Sequence, residues 1–257
     1  LLEALSAVGA QGHLNVPAAE PRLAAVGLGL GVRDHVAGEL DDAGLAAAYG
    51  TADVMALATR SETYGMAVAG AIANARALIL PGVGAAADTM KNLRDGGLEG
   101  PIREYIASGR PFLGVCMGMQ ALFDLSEEEG EHPCLGVLGG RIVRFPQGMT
   151  VPHMGWNTVR LRTDAAGAAH PVFEGIAQDD FFYFVHSYHP APADDAVVIG
   201  ETDYLGVRFP SVVGRDNVVA TQFHPEKSSA AGLRVYANFL RLARERGSIA
   251  PAQPASR

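Results

Sequence analysis

Phe112-Leu113-Gly114-Val115-Cys116-Met117-Gly118-Met119-Gln120, with Arg110 and Pro111 just ahead of it, is the stretch whose reading decides the fold. Phe112 to Val115 is a run of apolar residues and glycine, the pattern of a short buried strand. From Met117 the apolar residues fall at Met119, Leu122, Phe123 and Leu125, a helical spacing. A strand, a sharp turn at Cys116 and a helix are therefore predicted. Gly114 and Gly118 stand two residues either side of the cysteine, where such a turn needs backbone freedom and room for close approach. A helix beginning there aims unpaired N–H groups and a positive dipole end at the sulfur, which favours thiolate over thiol. The arrangement is a nucleophile elbow with Cys in the place of Ser. A buried structural cysteine is the alternative, and partners elsewhere in the chain must separate the two.

Composition narrows the field. The chain has 257 residues, enough for one large α/β domain or two small ones, and 48% are hydrophobic, enough for a sizeable core. Its 28 acidic residues against 20 basic ones give a formal net charge of −8, so no nucleic-acid partner is expected. No apolar run approaches the ~18 residues of a membrane span, so none is expected. Leu1 to Leu5 shows no basic region or cleavage pattern, and two cysteines, Cys116 and Cys134, are too few for a disulfide framework. The expected compartment is the cytoplasm.

Working outward, Ala77-Leu78-Ile79-Leu80 reads as a buried strand that runs into the turn Pro81-Gly82-Val83-Gly84, with a helix following from Asp88. Such a turn can present backbone N–H groups to a developing negative charge. Downstream of the elbow, Ser126 to Glu131 is an acidic helix end or loop, and Arg141 to Phe145 an alternating strand. Val151 to Asn157 holds the only Trp, Trp156, in what reads as a Pro/Gly-bounded loop. Asp180 to His189 is an aromatic-rich strand ending in polar side chains, where an α/β sheet makes its ligand contacts. Val218 to Phe223 is another buried strand, and it delivers His224-Pro225-Glu226-Lys227-Ser228. A carboxylate two residues beyond a strand-end His, across a rigid Pro, can orient the ring while the other nitrogen faces Cys116. An amphipathic helix, Ala231 to Arg244, follows, and residues 246–257 read as a disordered tail.

Gly114 to Gln120 and Phe223 to Ser228 together resemble the signatures of class I glutamine amidotransferases. The segments Leu80 to Gly84, Val151 to Asn157 and Tyr183 to Tyr188 are similar to the branch that serves histidine biosynthesis as the glutaminase of imidazole glycerol phosphate synthase. The resemblance covers residues 77–242 and implies a three-layer α/β fold with a central, mostly parallel sheet. It implies hydrolysis of L-glutamine by a triad of Cys116, His224 and Glu226. Met117 with Val83 or Gly84 would form the oxyanion hole, and Gly84, Gln120, Glu128, Ser187 and Tyr188 would bind the substrate. It implies no cofactor and no metal, and a (β/α)8-barrel cyclase as partner, met by Met154, Trp156 and Lys227. Two further readings stay open: the glutaminase of another amidotransferase, such as that of pyridoxal phosphate synthesis, and a silent chain that only docks.

Upstream the pattern departs from that family, which opens with a strand, Asp-Tyr-Gly-Met-Gly-Asn-Leu and a helix. Residues 1–75 instead resemble a Rossmann fragment of a retaining GT-B glycosyltransferase, through Gly38 to Asp42, Ala52 to Val54 and Ser61 to Met66. Gly70 stands where that family's second carboxylate belongs, so sugar transfer is not expected. The expected organisation is this fragment at 1–75 and an amidotransferase domain at 76–245. A strand from Val54 to Leu57 and a helix from Tyr64 to Ala75 would occupy part of the missing βα unit, with a second strand left unreplaced.

Overall fold

The computed structural model describes residues 72–73 and 75–247, together with two upstream strands at 14–15 and 54–56. The glycosyltransferase-like motifs apart from Val54, the Tyr64–Ala75 helix apart from its last residues, and the tail beyond residue 247 lie outside the described residues. In chain order the first elements are β1 (Leu14–Asn15), β2 (Val54–Ala56), β3 (Ala77–Gly82), α1 (Ala86–Asp95) and α2 (Glu99–Ala107). The elbow follows as β4 (Phe112–Cys116) and α3 (Met117–Gln120). Then come β5 (Leu125–Ser126), β6 (His132–Pro133), β7 (Gly140–Arg144), β8 (His153–Thr158) and β9 (Arg160–Leu161). The chain continues through β10 (Phe181–His186), β11 (Tyr188–Pro192), β12 (Val198–Tyr204), β13 (Val207–Arg215), β14 (Val218–Thr221) and α4 (Ser229–Gly247).

The main sheet has the order β1-β2-β3-β4-β14-β13-β12-β9. From β1 to β14 the neighbours run parallel, and from β14 to β9 they run antiparallel. Two helical layers cover it, and the period-2 geometry of a strand explains how. Leu78 and Leu80 of β3 pack with Met90 and Leu93 of α1 and Ile102 and Tyr105 of α2. Ala77 and Ile79, pointing the other way, join Val235, Tyr236, Phe239 and Leu240 of α4. β3, β4 and β14 are thus buried on both faces, which is why they read as continuous apolar runs. A smaller sheet, β11-β7-β5-β6, and a two-stranded ribbon of β8 and β10 complete the fold.

Several elements differ from expectation. The helix after Cys116 stops at Gln120 instead of running through Leu125. The carbonyls of Ala121, Leu122 and Phe123 are taken by the N–H groups of Leu135, Val137, Leu138 and Gly136, so the chain turns into β5. Trp156 lies on a strand, not in a loop, because Val151 to Asn157 continues into the ribbon. The aromatic segment is split: β10 ends at His186, and β11 leaves from Tyr188 to join the smaller sheet. Upstream, the Val54 strand is present as β2 and pairs in parallel with β3, but the second strand, expected to be missing, is supplied after all. Leu14–Asn15 pairs in parallel with Val54–Met55 and lies beyond β2 in the sheet.

Candidate active site

Three adjacent parallel strands end at one level. Gly82 of β3 is the register partner of Cys116 of β4, and Thr221 of β14 is the partner of Val115. The turn after Gly82, Cys116 and the Gln222-Phe223-His224 segment therefore emerge side by side at the carboxyl ends of the strands, where open α/β sheets place ligands.

The elbow is as tight as its glycines imply. Cys116 has φ 54° and ψ −107°, a conformation that only glycine adopts without strain. A Cβ on Gly114 would stand 2.7 Å from the carbonyl oxygen of Gly118, and one on Gly82 would stand 2.6 Å from Cβ of Met117. Gly84 has φ +111°, which lets the turn between β3 and α1 fold back beside Cys116.

Cys116 and His224 line one pocket of about 270 Å³, with Val83, Gly84, Met117, Gln120, Glu128, Val185, His186, Ser187 and Tyr188. Every residue anticipated for the oxyanion hole and for substrate contact is among them. Nδ1 of His224 lies 2.8 Å from Oε1 of Glu226, so the ring is oriented from behind by a carboxylate. Its Nε2 is buried and has no hydrogen-bond partner, leaving it available to a group arriving in the pocket. Burial works to lower the pKa of His224, but interaction with Cys116 and Glu226 outweighs it and raises the pKa to about 9. The ring thus sits close enough to the sulfur for the two groups to interact.

Glu226 itself is held. Burial would raise its pKa, but the bond with His224 and the hydroxyl of Tyr236 bring it below the ordinary carboxylate range. The Tyr236 hydroxyl donates to Oε2 at 3.0 Å. Tyr236 reads in the sequence as part of the apolar face of α4, and only its place two turns into the helix that follows His224-Pro225-Glu226 hints at this contact. Gln222 was also missed. Its Nε2 reaches Sγ of Cys116 at 3.8 Å, and its Oε1 accepts from Nε2 of Gln120 at 3.1 Å. Glu128 accepts from the backbone N–H of Ala86 at 2.6 Å, so the acidic loop also caps the first turn of α1 beside the Gly84 turn.

Met154, Trp156 and Lys227 lie away from the pocket floor. In the ribbon, Trp156 pairs with Tyr183 and Met154 with Val185, all on one face. Met154 is 62% exposed, Trp156 51% and Phe181 59%, an apolar surface that continues through Val185 into the pocket. The ammonium of Lys227 stands 5.7 Å from the centre of the Tyr183 ring at its edge.

The raised pKa of His224 has a sign that can be tested. A group that binds its proton more tightly when folded stabilises the fold below its ordinary value of 6.5 and loses that contribution as pH rises through about 9. Glu226→Gln removes a carboxylate that favours the charged ring, so the alkaline limb of a pH–rate profile is expected to move to lower pH. A limb that stays in place would show that Glu226 does not support the charge.

Residues 51–242 match the family Glutamine amidotransferase class-I. The chain is 51% identical over 178 residues to the imidazole glycerol phosphate synthase subunit HisH of Herpetosiphon aurantiacus, covering 69% of this chain and 81% of the relative. It is 46% identical over 206 residues to that of Salinibacter ruber, covering 76% and 92%. A crystal structure of a glutamine amidotransferase superposes with a TM-score of 0.52 at 24% identity, over 68% of this chain and 83% of the other, a likeness of fold.

Proposed function

Because the chain belongs to the class-I glutamine amidotransferase family and its relatives include HisH subunits of imidazole glycerol phosphate synthase, we propose that Cys116 is its nucleophile and His224, oriented by Glu226, its acid and base. The chain is a glutaminase of histidine biosynthesis. The observation that carries the assignment of residues is the convergence of the Cys116 elbow and the carboxylate-bound His224 on one pocket.

In this reading the sulfur attacks the side-chain amide carbon of glutamine, and the carbonyl π electrons move onto oxygen. The N–H of Met117 and that of Val83 or Gly84 stabilise this oxyanion. His224 gives its proton to the amide nitrogen, the C–N bond breaks, and ammonia leaves a glutamyl thioester. His224, now neutral, takes a proton from water as the hydroxyl adds to the thioester carbon. Collapse of that second oxyanion releases glutamate and the thiolate. Glu128 would receive the substrate ammonium, and Gln120, Ser187 and Tyr188 would hold its backbone groups. Glutamate release from glutamine by the folded protein, measured with a barrel-type cyclase present, tests the assignment; absence of turnover under those conditions refutes it.

The ribbon surface supports a cyclase as the partner. Aromatic anchors on an apolar patch beside the pocket are the composition of an interface core, and they would keep ammonia out of bulk water where it is protonated. Trp156→Ala is expected to weaken cyclase binding by roughly 30-fold or more while the unfolding midpoint stays put. Unchanged affinity by calorimetry would move the docking face elsewhere. The organisation into a glycosyltransferase-like segment at 1–75 and an amidotransferase domain at 76–245 is retained as part of the proposal.

A further inference from the structure

Beneath the ribbon lie two histidines that the hydrolytic steps do not use. His153 is 3% exposed and His186 6%. They are a register pair, facing inward from β8 and β10. The His153 ring is stacked between Phe184 at 4.8 Å and Tyr204 at 4.1 Å. Burial lowers both pKa values, to about 4 for His153 and about 3 for His186, so both rings are neutral at physiological pH.

Their tautomers follow from what surrounds them. Nδ1 of His186 lies 2.8 Å from the carbonyl oxygen of Tyr188, which can only accept, so this nitrogen carries the proton. Nε2 of His186 must then accept, and it lies 3.0 Å from Nδ1 of His153, which donates. Nε2 of His153 accepts in turn from Nδ2 of Asn157 at 3.2 Å. The same Tyr188 carbonyl receives Nε2 of Gln120 at 3.1 Å. That fixes the Gln120 amide, whose Nε2 also donates to Oε1 of Gln222. Gln222 is left with its NH₂ end toward Sγ of Cys116. The two runs meet at the Tyr188 carbonyl, which accepts one hydrogen bond from each, and turning either glutamine amide around would set oxygen against oxygen or leave the sulfur facing an acceptor.

The geometry points to His153 and His186 as positioning residues: with Asn157 they hold the Tyr188 carbonyl from one side, and that carbonyl orients Gln120 and through it Gln222, whose amide donor rests on the sulfur of Cys116. The network starts on the strand that carries Met154 and Trp156 and ends at the nucleophile. It rests on the reading of Cys116 as the reactive thiol, but its test does not require glutamine to be cleaved.

The test measures the rate of Cys116 alkylation by iodoacetamide at neutral pH, in protein shown to be folded by circular dichroism, with the Cys134 background subtracted using Cys116→Ser. His186→Leu removes donor and acceptor and is expected to slow alkylation about tenfold. His186→Gln offers an N–H and a carbonyl in the same place and is expected to restore the rate to within about threefold of the parent. Should His186→Leu fail to fold, Gln222→Met tests the last link, again with about tenfold slowing expected. Nitrogen-15 imidazole spectra are expected to show both rings protonated at Nδ1. Parental alkylation in folded His186→Leu or in Gln222→Met, no recovery in His186→Gln, or an Nε2–H tautomer at either ring would overturn the proposal. Absence of glutamine turnover in the parent protein, with these alkylation effects intact, would instead count against the glutaminase reading.

Discussion

Cys116→Ser is expected to cut glutamine hydrolysis by roughly 10⁴-fold or more while the protein still folds. The side chain is 5% exposed, and a hydroxyl occupies little less room than a thiol, so the elbow keeps its shape. Chemistry is what changes, because a serine hydroxyl at neutral pH is not ionised and is a far poorer nucleophile. His224 also loses one of the two interactions that raise its pKa to about 9, so less of it is protonated when the amide nitrogen needs a proton. The measurement is glutamate release at saturating glutamine, beside an unfolding curve. Turnover within about tenfold of the parent would show that the sulfur forms no bond to substrate.

Gly118→Ala is expected to destabilise the fold by on the order of 4 kcal/mol, the upper range for a single substitution. An added Cβ would stand 1.7 Å from the carbonyl oxygen of Leu80, which belongs to β3 and cannot move without shifting the central sheet. The same change at Gly100, also helical, meets nothing within 4 Å. There the unfolded chain loses freedom and nothing is displaced, so a gain of about 0.5 kcal/mol is expected. Urea denaturation of the two variants separates close approach from helix propensity. Similar midpoints would mean that α3 does not press on β3 as described.

The contrast shows what a one-dimensional reading can reach. The elbow, the His224–Glu226 pair and the Gly84 turn were legible because each is a short run whose residue types have few other uses. Their meeting was also implied, since parallel strands buried on both faces must end at a common edge. Tyr236 and Gln222 were not legible. A tyrosine at an apolar helical position looks like core, and it is core; its hydroxyl matters only because α4 crosses behind Glu226. Gln222 precedes His224 by two residues, just past the end of β14, and its significance depends on Gln120, 102 positions away in the chain. The ribbon escaped for a different reason. Proline and glycine around Trp156 signal a turn locally, and pairing with Phe181 to His186 overrides that signal. Short helices are the weak point as well, since the pattern after Met117 could not show that the loop at Leu135 to Leu138 takes the carbonyls.

The backbone at Cys116 also separates working copies of this protein from retired ones. Its angles are the mirror image of an extended residue, a state that every side chain resists and glycine accepts. Strain of this kind collects where the surrounding structure holds a reacting group clear of its own strand. A duplicated gene released from hydrolysis but retained for docking is therefore expected to drift at this codon first, toward glycine or a relaxed turn, before the ribbon surface changes.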